Sequence, residues 1–147
     1  MTFGNPNCLG NLRVNDDVSP AGRSQFFPSI AVDQTSGKLA ICWYDCRNDA
    51  SNTNTQFFAA FSSDKGVTLW KNFQVSGFLF SNAALSYGYY QAEYGDYAHC
   101  AFQSGKFFPL WADNSNSTGD NPSELNPNPG PTYYNPMDIY TRKIVVP

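Results

Sequence analysis

Charge is scarce in this chain, and so are helical periodicity, histidine and long apolar runs. Only 14% of the residues are charged, the formal net charge is −3, and the basic residues form no run or stripe. Proteins that hold nucleic acid neutralise phosphates with clustered Lys and Arg, so no nucleic-acid partner is expected. No apolar stretch approaches the ~20 residues of a helical membrane span, so none is expected here. His99 is the only histidine and no CxxC pair occurs, which removes the usual zinc ligand sets. The opening stretch MTFGNPNCLG lacks a basic n-region and an apolar h-region. The expectation is that an export signal has been removed or that the chain is cut from a longer one.

What is present is apolar and aromatic. With 147 residues, 41% of them hydrophobic and 16% aromatic, the chain can bury one domain-sized core. Low charge together with many Asn, Ser, Thr, Tyr and Gly residues is usual for secreted β proteins, so an extracellular location is expected. Cys8, Cys42, Cys46 and Cys100 can form two bridges in three connectivities, or remain free buried thiols. Cys42 and Cys46 are poor partners for each other. In a strand they stand about 13 Å apart, against a limit of ~7 Å between bridged Cα atoms.

Short β-branched and aromatic runs, punctuated by Gly, Pro, Asn, Asp and Ser, predict an all-β fold. The expected strands are Ser29 to Asp33, Lys38 to Asp45, Thr55 to Ser62, Leu69 to Val75, Asp96 to Phe102, Lys106 to Ala112 and Met137 to Val146. A repeat organises them. SGKLAICWYDCRN (36–48) and SGKFFPLWADNSN (104–116) align without a gap, and Ser36, Gly37, Lys38, Trp43, Asp45 and Asn48 recur in the second copy. Each copy has a short apolar strand before it and another after it, which reads as β-propeller-type four-stranded antiparallel blades, about two in this chain.

The expected division is an arm over 1–22, or a strand completing a neighbouring blade, then a blade over 23–80 and a second over 81–147. The second blade carries the Pro- and Asn-rich insertion STGDNPSELNPNPGPTYYNP, expected as a surface loop or lid. Two blades do not close a propeller, which typically needs four to eight. The remaining blades of a longer propeller, or other copies of the chain in a ring or an open stack, are therefore the expected partners.

Residues 62–70, SSDKGVTLW, resemble the Asp-box of the sialidase and BNR-repeat superfamily, S-x-D-x-G-x-T-W. Ser62, Asp64, Gly66 and Thr68 match the pattern, and Trp70 falls one place late because Leu69 intervenes. Asp and Ser can bond nearby amides, Gly supplies an unusual φ and the aromatic covers the hairpin, so the motif is expected to be a folding device. The segments LRVNDDVSPAGRSQFFPSIAVDQTSGKLAICWYDCRND, GDYAHCAFQSGKFFPLWADN and DIYTRKIVV are similar to the closing blades of secreted sialidase-like proteins. This resemblance implies a glycan-related extracellular propeller, with a glycan as a further expected partner.

Sialidases of that superfamily use three arginines, a Tyr–Glu nucleophile pair and an Asp acid/base. The F/Y-R-I-P motif that supplies one of those arginines is absent, and RSQFFPSI matches it only superficially. Tyr94 beside Glu93 would point to the opposite face of a strand. The expectation is a chain that is not itself a complete catalytic unit; the alternative is a non-catalytic, self-assembling structural protein.

The ligand candidates are the acids where strands run out. These are Asp45 with Arg47 and Asp49, then Asp96 with Tyr97, Asp113 with Asn114, and Asp138. Repeat symmetry places Asp45 and Asp113 at equivalent points, where a ring of carboxylates could bind Ca²⁺ or sugar hydroxyls. The same acids could instead cap turns or pair with arginine. Trp43, Tyr44, Tyr97 and Trp111 could stack on sugar rings or fill the space between blades.

Overall fold

The computed structural model describes residues 10–18, 22–83, 94–115 and 137–147. Among the described residues eight strands form in chain order: β1 (Gln25–Val32), β2 (Leu39–Asp45), β3 (Gln56–Ser62), β4 (Phe73–Gln74), β5 (His99–Gln103), β6 (Lys106–Asp113), β7 (Asp138–Thr141) and β8 (Ile144–Val145). They build two antiparallel four-stranded sheets. The first runs β1-β2-β3-β4; in the second, β6 has β5 on one side and both β7 and β8 along the other. The insertion over 117–136, Cys8 and Glu93 lie outside the described residues.

β5 runs His99–Gln103 where a strand from Asp96 to Phe102 is expected, and three other strands differ from their expected bounds for local reasons. β1 begins four residues early, and a bulge between Phe26 and Ser29 takes up Phe27, at φ 51°, and Pro28. The expected strand from Leu69 to Val75 shrinks to Phe73–Gln74, because the turn after β3 occupies its first half and Asn72 bonds the N-terminal segment instead. The last expected strand is split in two. β7 pairs with Leu110–Asp113 and β8 with Lys106–Phe107; the ladder lapses at Phe108 and Pro109, and proline has no amide to give it.

Period-2 alternation then sorts the side chains. In the first sheet Ala40, Cys42, Tyr44, Phe57, Ala59 and Phe61 face the second sheet, while Trp43, Phe58 and Ala60 face away and are covered in part by Val14. In the second sheet Phe102, Phe107, Trp111 and Tyr140 face inward, and Phe108, Leu110 and Ile139 face out. The register makes this an exchange of faces. Trp43↔Phe58 and Trp111↔Tyr140 are equivalent cross-strand pairs, yet the first lies on the outer face of its sheet and the second on the inner face. The sheets thus stack head to tail, one face type against the other. Phe57 stacks on Trp111, with ring centroids 5.2 Å apart and planes 8° from parallel, an arrangement that adds about 0.5–1.5 kcal/mol beyond area burial.

Several polar contacts join the stacked sheets, among them Arg142 Nη1 to the Val75 carbonyl at 3.0 Å and Ser81 Oγ to Asn114 Oδ1 at 2.9 Å; two more bear on the repeat. The Asp33 carboxylate, at the end of β1, caps its own turn through Thr35 and Ser36 and also accepts the Ser104 and Gly105 amides at 3.0 and 2.9 Å. Those amides are presented by a two-residue hairpin whose residues both have positive φ, 50° and 72°, the type I′ geometry that matches strand twist. The Tyr44 hydroxyl makes the second contact, with the backbone of Ala112.

Candidate functional site

β2 ends at Asp45, opposite Gln56, while β3 ends at Ser62, opposite Leu39. The first sheet therefore has an Asp45 end and an Asp64 end. Asp113 closes β6 in the same sense and lies at the Asp45 end of the stack, since its neighbour Ala112 meets Tyr44.

At the Asp45 end, the Asp45 side chain is buried among donors. It accepts Trp43 Nε1 at 2.8 Å, the Arg47 amide at 2.7 Å, and Arg47 Nε and Nη2 at 2.9 and 2.7 Å. Arg47 continues outward to Asp16 Oδ1 at 2.7 Å and Asn72 Oδ1 at 3.0 Å, and its guanidinium lies 4.4 Å from the Phe58 ring centroid. Asp16 and Asn72 close the network by exchanging backbone amides. This network ties the N-terminal segment to the first sheet. The second repeat copies its centre: Asp113 accepts Trp111 Nε1 at 3.1 Å and the Ser115 amide at 2.7 Å. A Trp-x-Asp clasp thus ends the second strand of each sheet. Arg47 has no counterpart, because Ser115 stands at its position.

The other candidates disperse. Asp49 folds its own loop, accepting the Ser51, Thr53 and Asn54 amides; the Ser51 hydroxyl first, then the Asn54 and Thr53 amides, hold its carboxyl far below the ordinary range. Asp138 sits directly across from Asp113 in the β6–β7 ladder. Asp96 and Tyr97 lie exposed before β5, with the Tyr97 ring 6.2 Å from that of His99. Tyr97 is 77% exposed and can meet a sugar ring, whereas Trp43, Tyr44 and Trp111 are buried and serve as packing. The donor set around Asp45 does not fit Ca²⁺, because a guanidinium occupies the place where a cation would have to enter. Among the described residues no group of three His, Cys, Asp or Glu side chains could hold a metal ion.

At the opposite end Asp64 organises the turn that follows β3. Asp64 accepts the Thr68 amide at 2.9 Å and the Thr68 hydroxyl at 2.6 Å, and Ser62 Oγ accepts the Gly66 amide at 2.8 Å. The Thr68 hydroxyl and amide hold the Asp64 carboxyl down to about 2. Gly66 takes φ 89°, a left-handed conformation that side chains rarely adopt, and a Cβ there would stand 2.8 Å from Leu39 Cδ1, so the leucine would have to shift. Trp70 packs edge-on against Phe61.

Sequence reasoning passed over Asp33, Asp16, Asn72 and the Ser29–Cys42–Cys100 contact. For Asp33 a signal existed, because D-x-T-S is a turn-capping pattern. The pairing of Asp16 with Asn72 spans 56 residues and left no local trace. No family model, curated protein or solved structure matches this chain.

Proposed function

We propose that the chain is a blade-pair segment of a sialidase-like, extracellular β-propeller, and that its part in handling a glycan is to frame the site while other blades supply the cutting residues. The carrying observation is the exchange of faces between the two sheets. Outward-facing Phe108, Leu110 and Ile139 occupy the positions that Ala40, Cys42 and Phe57 hold in the buried face of the first sheet. Outward-facing Ile30 and Val32 correspond in the same way to Cys100 and Phe102. Each end of the stack therefore presents the face type that the other end accepts, as a run of blades requires. The Asp-box turn supports the family reading, and the use of Asp45, Arg47 and Asp113 as structural clasps supports a framing role.

The isolated chain, assayed with a fluorogenic sialoside, is expected to give no hydrolysis, and native mass spectrometry is expected to find it associated through its two apolar ends. A monomer that turns the sialoside over would refute the proposal. The alternative, a self-assembling structural protein, uses the same faces. It requires assemblies of defined stoichiometry that Leu110→Glu and Ile139→Glu both dissolve, and a monomeric wild type excludes it.

A further inference from the structure

Halfway along β2, Cys42 is completely buried and faces the second sheet, with Ser29 of β1 as its cross-strand partner. Half-buried Cys100 of β5 comes to meet them. Its Sγ is 3.4 Å from the hydroxyl of Ser29, the residue that stands directly across from Cys42 in the β1–β2 ladder. Both residues are free thiols, carried by strands of different sheets that pack on one core. We infer that Cys42 and Cys100 form a thiol-exchange site that a small disulfide oxidant, of the oxidised glutathione class, closes into a covalent bond between the two sheets.

The chemistry assigns the order. Accepting hydrogen bonds from Cys42 and Ser29 lowers the Cys100 thiol, whereas donating to Cys100 and burial raise that of Cys42. Cys100 is also the sulfur that solvent reaches, so it attacks first. Its thiolate displaces one glutathione thiolate and forms a mixed disulfide. Cys42 then gives up its proton and attacks the Cys100 sulfur, expelling the second glutathione as a thiol. The protein loses two protons and two electrons, and the oxidant becomes two molecules of glutathione. Cys46 follows the end of β2, where its amide donates to the Ser24 carbonyl and Asp45, Asp49 and Arg23 are its charged neighbours.

The test is incubation of the folded, reduced chain with oxidised glutathione, followed by intact mass and a non-reducing peptide map. The expected result is loss of the mass of two hydrogens and one linked pair, Cys42 with Cys100. The melting temperature should rise by roughly 5–15 °C, as for other bridges that close long loops. Cys46→Ser should close in the same way, and Cys42→Ser should stop at a glutathione adduct on Cys100. Linkage of Cys100 to Cys46 or Cys8, an adduct that persists on wild-type Cys100, or no consumption of thiols would each overturn the inference. The wild-type peptide map decides the matter even if a variant fails to fold.

Discussion

The Tyr44 hydroxyl donates to the carbonyl of Ala112 at 2.9 Å and accepts the amide of the same residue at 2.8 Å, and Ala112 is the residue that stands at Tyr44's own place in the second repeat. The first sheet thus reads the backbone of its own copy, 68 residues along. Tyr44→Phe keeps the ring, which contacts Phe26, Phe57 and Tyr94, and leaves two backbone groups of Ala112 without this partner. The expected cost is about 1–3 kcal/mol by denaturant titration. A variant as stable as the wild type would show that the hydroxyl is dispensable to the stack.

Acid should loosen the molecule in a defined window. Asp33, Asp49 and Asp64 all have folded pKa values below the unfolded value of about 3.9. For a depressed carboxyl, the stabilisation is complete above the unfolded pKa and is lost as pH falls toward the folded one. The melting temperature should hold from pH 7 to 5 and fall from about pH 4 toward 2. Asp33→Asn turns an amide N–H toward one of the Ser104 and Gly105 donors, so it should lower the melting temperature at pH 7 and flatten the acid decline. An unaltered pH profile in that variant would assign the acid response elsewhere.

Arg47 separates a clasp from a ligand site. Arg47→Ala strips the guanidinium from buried Asp45 and releases Asp16, with an expected loss of about 3–5 kcal/mol. Limited proteolysis should then cut faster near Asp16. Arg47→Lys should restore only part of the loss, since one ammonium cannot replace a planar fork shared among Asp45, Asp16 and Asn72. Full stability in the alanine variant would free Arg47 for ligand work.

The Asp64 turn makes a paired prediction. Asp64→Ala should lower the melting temperature by a few degrees without altering any binding measured per folded molecule. Gly66→Ala should be worse, by more than about 1 kcal/mol, because it adds a contact with Leu39 to an unfavourable φ. Equal stability of Gly66→Ala and the wild type would mean that the turn can reshape at no cost.

What the sequence disclosed follows from distance along the chain. Alternation in LAICWYD and the S-x-D-x-G-x-T pattern are short-range signals, so β2, β3 and the Asp64 turn were legible. The position of Asp45 at a strand end was legible too, but the use made of it was not. Its oxygens are taken up by Trp43, two residues away, and by Arg47, whose own anchors Asp16 and Asn72 lie 31 and 25 residues from it. The Cys42–Cys100 contact was hidden for the same reason, since it depends on how one sheet is placed on another. Pro109 and the bulge at Phe27 moved strand bounds through backbone effects that a hydrophobic pattern does not record.

The exchange of faces also separates two kinds of position. Trp43 and Trp111, and Asp45 and Asp113, are identical in the two repeats, and the clasps they make lie within single sheets. Two of the devices that couple the sheets, Asp33 and Tyr44, are not repeated. Asp33 lies beside Lys38 as Gln103 lies beside Lys106, and Tyr44 gives way to Ala112. One set of residues specifies what a unit is; the other specifies what may stand next to it. Coupling is therefore a separable property, and writing Gln103→Asp and Ala112→Tyr into the second sheet would transplant the docking end of the first while leaving the unit's own plan untouched.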